Sequence, residues 1–117
     1  MSNQETKIQQ EIRLALGRIK NLRLFRNETG QLPDPRTNRW VQFGLAKGSS
    51  DLIGFKTIKI TQDMVGSSVA QFVSIEVKTP KGRPTEIQKN WLHCIKSAGG
   101  ISGIARSIED ARKILDL

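Results

Sequence analysis

Phe72–Lys78 reads F-V-S-I-E-V-K, and its alternation sets the terms for the rest of the chain. Val73, Ile75 and Val77 alternate with Phe72, Ser74, Glu76 and Lys78, which predicts a strand, because strand side chains repeat every two residues. Val73, Ile75 and Val77 would then share one face. Glu76 and Lys78 would project together from the other, roughly 7 Å apart along the strand. A carboxylate and an ammonium side by side at the end of an apolar strand form either a surface ion pair or a metal ligand beside a charge-stabilising group. Seven residues leave both open.

The chain has 117 residues, enough for one domain with one core. Apolar residues make up only 37%, so the expected core is thin and oligomerisation would help to cover it. The net charge is +8, from 19 Lys and Arg against 11 Asp and Glu. Such a basic balance points first to a polyanion, since Lys and Arg that neutralise phosphates release condensed counterions. A charge that merely aids solubility is the plainer alternative. An acidic membrane surface is a weaker candidate, because no lysine-rich amphipathic helix with a Trp/Phe/Leu face is visible. The single cysteine, Cys94, rules out an intramolecular disulfide and fits a reducing compartment. No apolar run approaches the length of a signal or membrane segment, and Met1–Gln10 is polar. The expectation is a cytoplasmic protein, in a bacterium or a phage-infected host cell.

Along the chain, residues 4–20 predict a helix, with Ile8, Ile12, Ala15 and Ile19 at helical spacing and Leu16 widening the stripe. Glu11 falls at the border of that stripe and is expected to be partly shielded and partnered, although a glutamate reaching to water or to Lys7 or Arg18 fits as well. Leu22–Arg26 predicts a first strand. Asn27 to Asn38, with Gly30, Pro33 and Pro35, predicts a loop. Arg36 and Arg39 flank Trp40, a combination suited to phosphates and unstacked bases, or simply to a tryptophan on the core edge.

Phe43–Phe55 reads F-G-L-A-K-G-S-S-D-L-I-G-F. Gly44 and Gly48 bracket a tight turn around Lys47, Ser49 and Ser50 lead into Asp51, and Leu52, Ile53 and Phe55 continue as a strand that Lys56–Ile60 would extend. Asp51 at the entrance of an apolar strand needs to cap, pair or bind a cation. The small residues beside it leave room for a phosphate to approach. The chain would then double back at Thr61–Ser68, making the central strand an antiparallel neighbour. T-P-K-G-R-P at 79–84 is a short basic loop carrying Lys81 and Arg83. A helix follows at about 85–98, where Thr85 and Gln88 match a capping box, and Gly99-Gly100 ends it. Ile101–Ala105 is a last strand, and Ser107 caps a final helix. The order gives an α/β sandwich; no phosphate-loop glycine signature is present.

Asp51, then Glu76-Val77-Lys78, then Gln88, trace the outline of the PD-(D/E)XK nuclease superfamily. More narrowly, G-L-A-K-G-S-S-D-L-I-G with I-E-V-K-T-P-K-G-R-P-T-E-I-Q-K-N-W resembles the VRR-NUC family, the virus-type replication and repair nucleases. The likeness runs from Glu11 to the last helix. Glu-x-Lys alone is a weak signal, whereas the acidic strand, Glu-Val-Lys and Gln88 in this order and spacing are a strong one. Pro33-Asp34 spells a literal "PD" but lacks a strand behind it, so Asp51 is the better acid.

The resemblance implies a restriction-endonuclease-like α/β core, a mixed central β-sheet flanked by α-helices. It implies metal-dependent hydrolysis of DNA, with Asp51, Glu76 and the Val77 carbonyl holding magnesium or manganese. Glu11 matches the helix-one glutamate of the family and would bind the metal or its water. Lys78 would orient the attacking water or neutralise developing charge, and Gln88 would hold the water or Lys78. Lys47, Ser49, Lys81 and Arg83, with Arg36 and Arg39, would grip the DNA backbone. It further implies a likeness to Holliday-junction resolvases, hence branched DNA and a homodimer, and makes a phage or mobile-element origin plausible.

Two other classes remain: a catalytically silent DNA-binding module, and a nuclease subunit that needs a partner to present DNA. No acid or lysine of the outline is missing, which favours the active enzyme. His93 beside Cys94 reads as a half-buried helix residue. With one His and one Cys, zinc-finger and His-dependent nuclease chemistry is excluded.

Overall fold

The computed structural model describes residues 3–117; Met1 and Ser2, part of the polar start, lie outside the described residues. The chain divides into two compact units, one ending at Lys56 and the other beginning at Thr57. Among the described residues there are three α-helices and three two-stranded ladders, a mixed α/β content.

In the first unit, α1 (Asn3–Leu16) precedes β1 (Leu22–Arg26), β2 (Gly30–Asp34), β3 (Arg39–Phe43) and β4 (Leu52–Lys56). β1 and β4 pair antiparallel, from Leu22 opposite Lys56 to Arg26 opposite Leu52. The rings of Phe25 and Phe55 meet diagonally across this ladder, 6.3 Å between centroids and tilted by 45°. The strands approach so closely that a Cβ at Gly54 would lie 1.8 Å from the Arg23 carbonyl oxygen, so only glycine fits there. α1 packs against β1, and its buried residue is Gln9.

Two expectations are corrected here. The segment 27–38 is not a loop throughout: β2 and β3 form an antiparallel hairpin, with Pro33 opposite Trp40. Each strand of a two-stranded ladder keeps one open edge, so a residue lacking N–H is tolerated within it. Asn38, in the left-handed conformation at φ 57, closes the turn by donating its backbone N–H to the Asp34 carbonyl at 2.8 Å. β4 takes β1 as its antiparallel partner. Thr57–Ile60 does not extend β4.

In the second unit, a short 3-10 turn (Gln62–Met64) leads to β5 (Val73–Val77), α2 (Glu86–Ser97), β6 (Ile101–Ala105) and α3 (Ile108–Leu115). At the turn the Thr61 hydroxyl donates to the Asp63 carboxylate, and that bond holds the exposed Asp63 carboxyl below its ordinary range. β5 and β6 run parallel, Val73 opposite Ile101 through Val77 opposite Ala105, with α2 as the crossover between them. Among the described residues the buried apolar ones are Ile95, 1% exposed, and Ala105, 3% exposed, so the core is as thin as the composition implies.

Both helices of the crossover region begin on matched caps. Thr85 and Gln88 complete the expected capping box: the Thr85 hydroxyl accepts the Gln88 backbone N–H, and Gln88 Oε1 accepts the Thr85 backbone N–H. Ser107 accepts from the Asp110 backbone N–H at the head of α3. α2 covers one face of the β5–β6 ladder, where Trp91 Nε1–H donates to the Ser74 hydroxyl at 2.8 Å and the Ser102 hydroxyl donates to the Leu92 carbonyl at 2.6 Å. α3 lies over β6 on the other face, with Ile114 against Gly103. No described helix is long and apolar enough to cross a membrane.

Candidate active site

The face of β5 that α2 covers is the polar one. Ser74 and Glu76 are half-buried on it, followed by Lys78, while Val73 and Val77 on the apolar face are 45% and 74% exposed. At both ends of the strand this reverses the burial that alternation suggests, while Ile75 between them is half-buried. The reason lies in the helices: α2 sits over Ser74, whereas α3 sits over β6 and leaves the Val73 and Val77 side chains open. Lys78 Nζ stands 3.5 Å from Glu76 Oε1, with the two side chains 20% and 30% exposed. The Lys78 backbone N–H donates to the Ala105 carbonyl at 3.1 Å and so extends the ladder past Val77. A pair so covered is more than two solvated side chains brushing past each other. It is a fixed positive and negative charge beside a strand end.

Lys81 and Arg83 leave this strand end on the loop 79–84. Arg106 holds that loop: its Nη1 donates to the Thr79 carbonyl at 2.7 Å and to the Gly82 carbonyl at 2.6 Å. The Arg106 backbone N–H in turn donates to the Asp110 carboxylate. Nothing in the sequence singles out Arg106, because its carbonyl partners lie 24 and 27 residues earlier. Gln88, half-buried in the first turn of α2, has its Oε1 committed to the cap.

In the first unit, Asp51 sits immediately before β4, exposed, with its backbone carbonyl accepting the Asn27 N–H at 2.9 Å. The residues leading to it are organised by Asn27, a residue that sequence reasoning missed. Its Nδ2 donates to the Ser49 hydroxyl at 2.7 Å and to the Ser50 carbonyl at 2.9 Å, while its Oδ1 accepts the Leu45 N–H at 3.2 Å. One amide thus ties both ends of the Gly44–Ser50 loop, which carries Lys47 and Ser49. Gly44 turns that loop at φ 79, with no room for a Cβ, which would lie 2.2 Å from the Glu28 carbonyl oxygen. The serine hydroxyl of Ser49 is therefore already engaged, and Lys47 is exposed at the loop tip.

Glu11 departs from expectation. It is exposed on α1, not shielded, and the stripe it borders stays open, with Ile8 at 47%, Ile12 at 39% and Ile19 at 49% exposure. α1 turns Gln9 inward at 8% exposure, one position off the predicted stripe. Arg36 lies in the hairpin turn and Arg39 opens β3, both exposed. Trp40 is 69% exposed, which excludes the packing on a core edge that the sequence left open. His93 is exposed on α2 and near the Ser97 hydroxyl. Among the described residues no group of three or more His, Cys, Asp or Glu side chains gathers to hold a metal.

No curated protein and no solved structure matches the chain. A family model does: that of the VRR-NUC domain matches residues 3–109, from α1 to the start of α3, and so includes the Asp51 strand, the Glu76-Val77-Lys78 strand and the capped helix α2. On that match the chain belongs to the VRR-NUC domain family, a family of nucleases.

Proposed function

We propose that the chain is a metal-dependent DNA endonuclease that hydrolyses phosphodiester bonds and prefers branched DNA, as Holliday-junction resolvases do. The observation that carries the reading is the covered Glu76–Lys78 pair, 3.5 Å apart on one face of β5, in a chain of a nuclease family. The whole chain would act as one nuclease domain with a restriction-endonuclease-like central sheet, working as a homodimer in the cytoplasm of a bacterium or a phage-infected cell.

Asp51, Glu76, the Val77 carbonyl and Glu11 would hold magnesium or manganese. All four offer oxygen donors, which suits these hard ions, and magnesium needs only one or two carboxylates because it keeps several waters. When bound, such an ion polarises the scissile phosphate and acidifies a water. The chain's own groups do the rest. Lys78 carries three donors and no acceptor, so it stabilises charge developing on phosphate oxygens, and Glu76 keeps its ammonium in place. Gln88 gives one lone pair of Oε1 to the cap and keeps its Nε2–H donors and a second lone pair. The donors would hold a water or a phosphate oxygen, and the remaining lone pair would accept from the Lys78 ammonium. Lys47, Ser49, Lys81 and Arg83, with Arg36 and Arg39, would contact the DNA backbone.

The test is cleavage of a labelled four-way junction and a matched linear duplex with magnesium, manganese or EDTA. Lys78→Ala and Asp51→Asn are each expected to lower the metal-dependent rate by roughly a hundredfold or more. Binding without cutting in any metal would overturn the endonuclease reading. Equal cutting of junction and duplex would overturn the preference for branched DNA.

A further inference from the structure

We infer that one face of the β2–β3 hairpin binds an unpaired nucleotide of DNA, with the Trp40 indole as its stacking platform; this rests on the proposed reading that the chain acts on DNA. The register sets Pro33 opposite Trp40 and Gln31 opposite Gln42. Residues opposite each other in an antiparallel ladder point to the same side, so these four share one face, while Leu32 and Val41 point to the other. Trp40 is 69% exposed and Gln31, Pro33 and Gln42 are exposed beside it.

An open indole next to two amides offers what an unstacked base takes. The ring supplies a stacking surface that tolerates any base, and the amides can donate to and accept from a base edge. A cleft of about 300 Å³ at the root of the hairpin has Gln31, Gln42, Phe43 and Lys47 in its wall, so two of the four residues of this face also line a small cavity, of which Trp40 is not a wall. Charge then decides between occupants. Arg36 in the turn and Lys47 beyond β3 bring positive charge to both ends of the hairpin, and Asp34 Oδ1 accepts the Arg36 backbone N–H at 2.9 Å, while Arg39, opposite Asp34, lies on the Leu32 and Val41 side. A second copy of this chain, itself at +8, would bring like charge to these cations, whereas nucleic acid brings the opposite charge. In an intact duplex every base is paired and stacked. The face therefore separates DNA with a flap, splayed arm or single-stranded tail from fully paired arms.

The experiment is binding by the full chain in EDTA, so that no cutting is required. The probes are a short single-stranded oligonucleotide carrying 2-aminopurine and its matched duplex, with wild type, Trp40→Ala and Trp40→Phe compared. Wild type should change the 2-aminopurine emission and Trp40→Ala should not. Trp40→Ala should weaken single-strand binding roughly tenfold and duplex binding by less than about twofold, with Trp40→Phe recovering most of the loss. No loss, an equal loss on both DNAs, or failure of wild type to bind the single strand would overturn the inference. A change in oligomeric state of Trp40→Ala with single-strand binding unchanged would assign the face to a second copy, and would equally overturn it. A wild type that stacks the base in EDTA yet cuts nothing in any metal would sink the endonuclease reading while supporting this one.

Discussion

Arg106 uses a single guanidinium nitrogen to bind two carbonyls, those of Thr79 and Gly82, and so fixes the backbone from which Lys81 and Arg83 extend. A charged donor to a carbonyl is worth more than a neutral one, although exposure reduces it. Arg106→Ala is expected to cost on the order of 1 kcal/mol of stability, read from urea unfolding, and to weaken backbone protection of the 79–83 loop, read by hydrogen exchange. An unchanged exchange rate in that loop would show that its own turn bond, from the Gly82 N–H to the Thr79 carbonyl, and the flanking prolines hold it without Arg106. Asn27 plays the same part for the loop before Asp51, with three side-chain hydrogen bonds from one amide. In both cases a long-range side chain sets the conformation of a short basic loop. Neither contact is visible in local sequence.

At the scale of elements, α2 serves two purposes with one residue. Gln88 caps the helix through Oε1 and leaves Nε2 for chemistry, so stability and catalysis can be separated at the adjacent position. Thr85→Ala is expected to destabilise the protein by about 1 kcal/mol with little effect on cleavage rate below the unfolding transition. Gln88→Ala should cost a similar amount and also slow cleavage. If both variants lose only stability, Gln88 is a cap and nothing more. The same helix explains why β5 keeps its polar face covered: Trp91 and the Ser102 hydroxyl tie α2 over that face. A strand whose apolar side is exposed at both ends, at Val73 and Val77, departs from the simple rule of alternation. Only the placement of a neighbouring helix produces it.

For the whole molecule the governing quantity is charge. The excess of 8 positive charges is shared by both units, since Lys47, Arg36 and Arg39 lie in the first and Lys78, Lys81 and Arg83 in the second. Binding to duplex DNA should therefore weaken steeply with salt. Replacing Lys47, Lys81 or Arg83 by Ala should each reduce the slope of log K against log salt by about 1, as expected for loss of one phosphate contact. A slope left unchanged by any of these removes that residue from the DNA interface. Trp40→Ala, by contrast, should leave the slope alone, because stacking releases no counterion.

Much of the element layout was legible in the chain itself. The strands at Leu22–Arg26 and Ile101–Ala105, the capping box at Thr85 and Gln88, and the Ser107 cap follow from periodicity and from short-range hydrogen bonding between neighbours in sequence. The family likeness rested on motifs of the same kind, and the match over residues 3–109 agrees with it. The β2–β3 hairpin was missed because Pro33 and Gly30 read as breakers, and only a two-stranded ladder with open edges accommodates them. Strand partners, the exposure of Glu11 and of Val77, and the clamps made by Asn27 and Arg106 were decided by tertiary structure. Sequence alone fixes which groups lie a few residues apart, and therefore caps, turns and strand alternation. Which face is covered, and which distant carbonyl a side chain reaches, depends on packing between elements that no local pattern encodes.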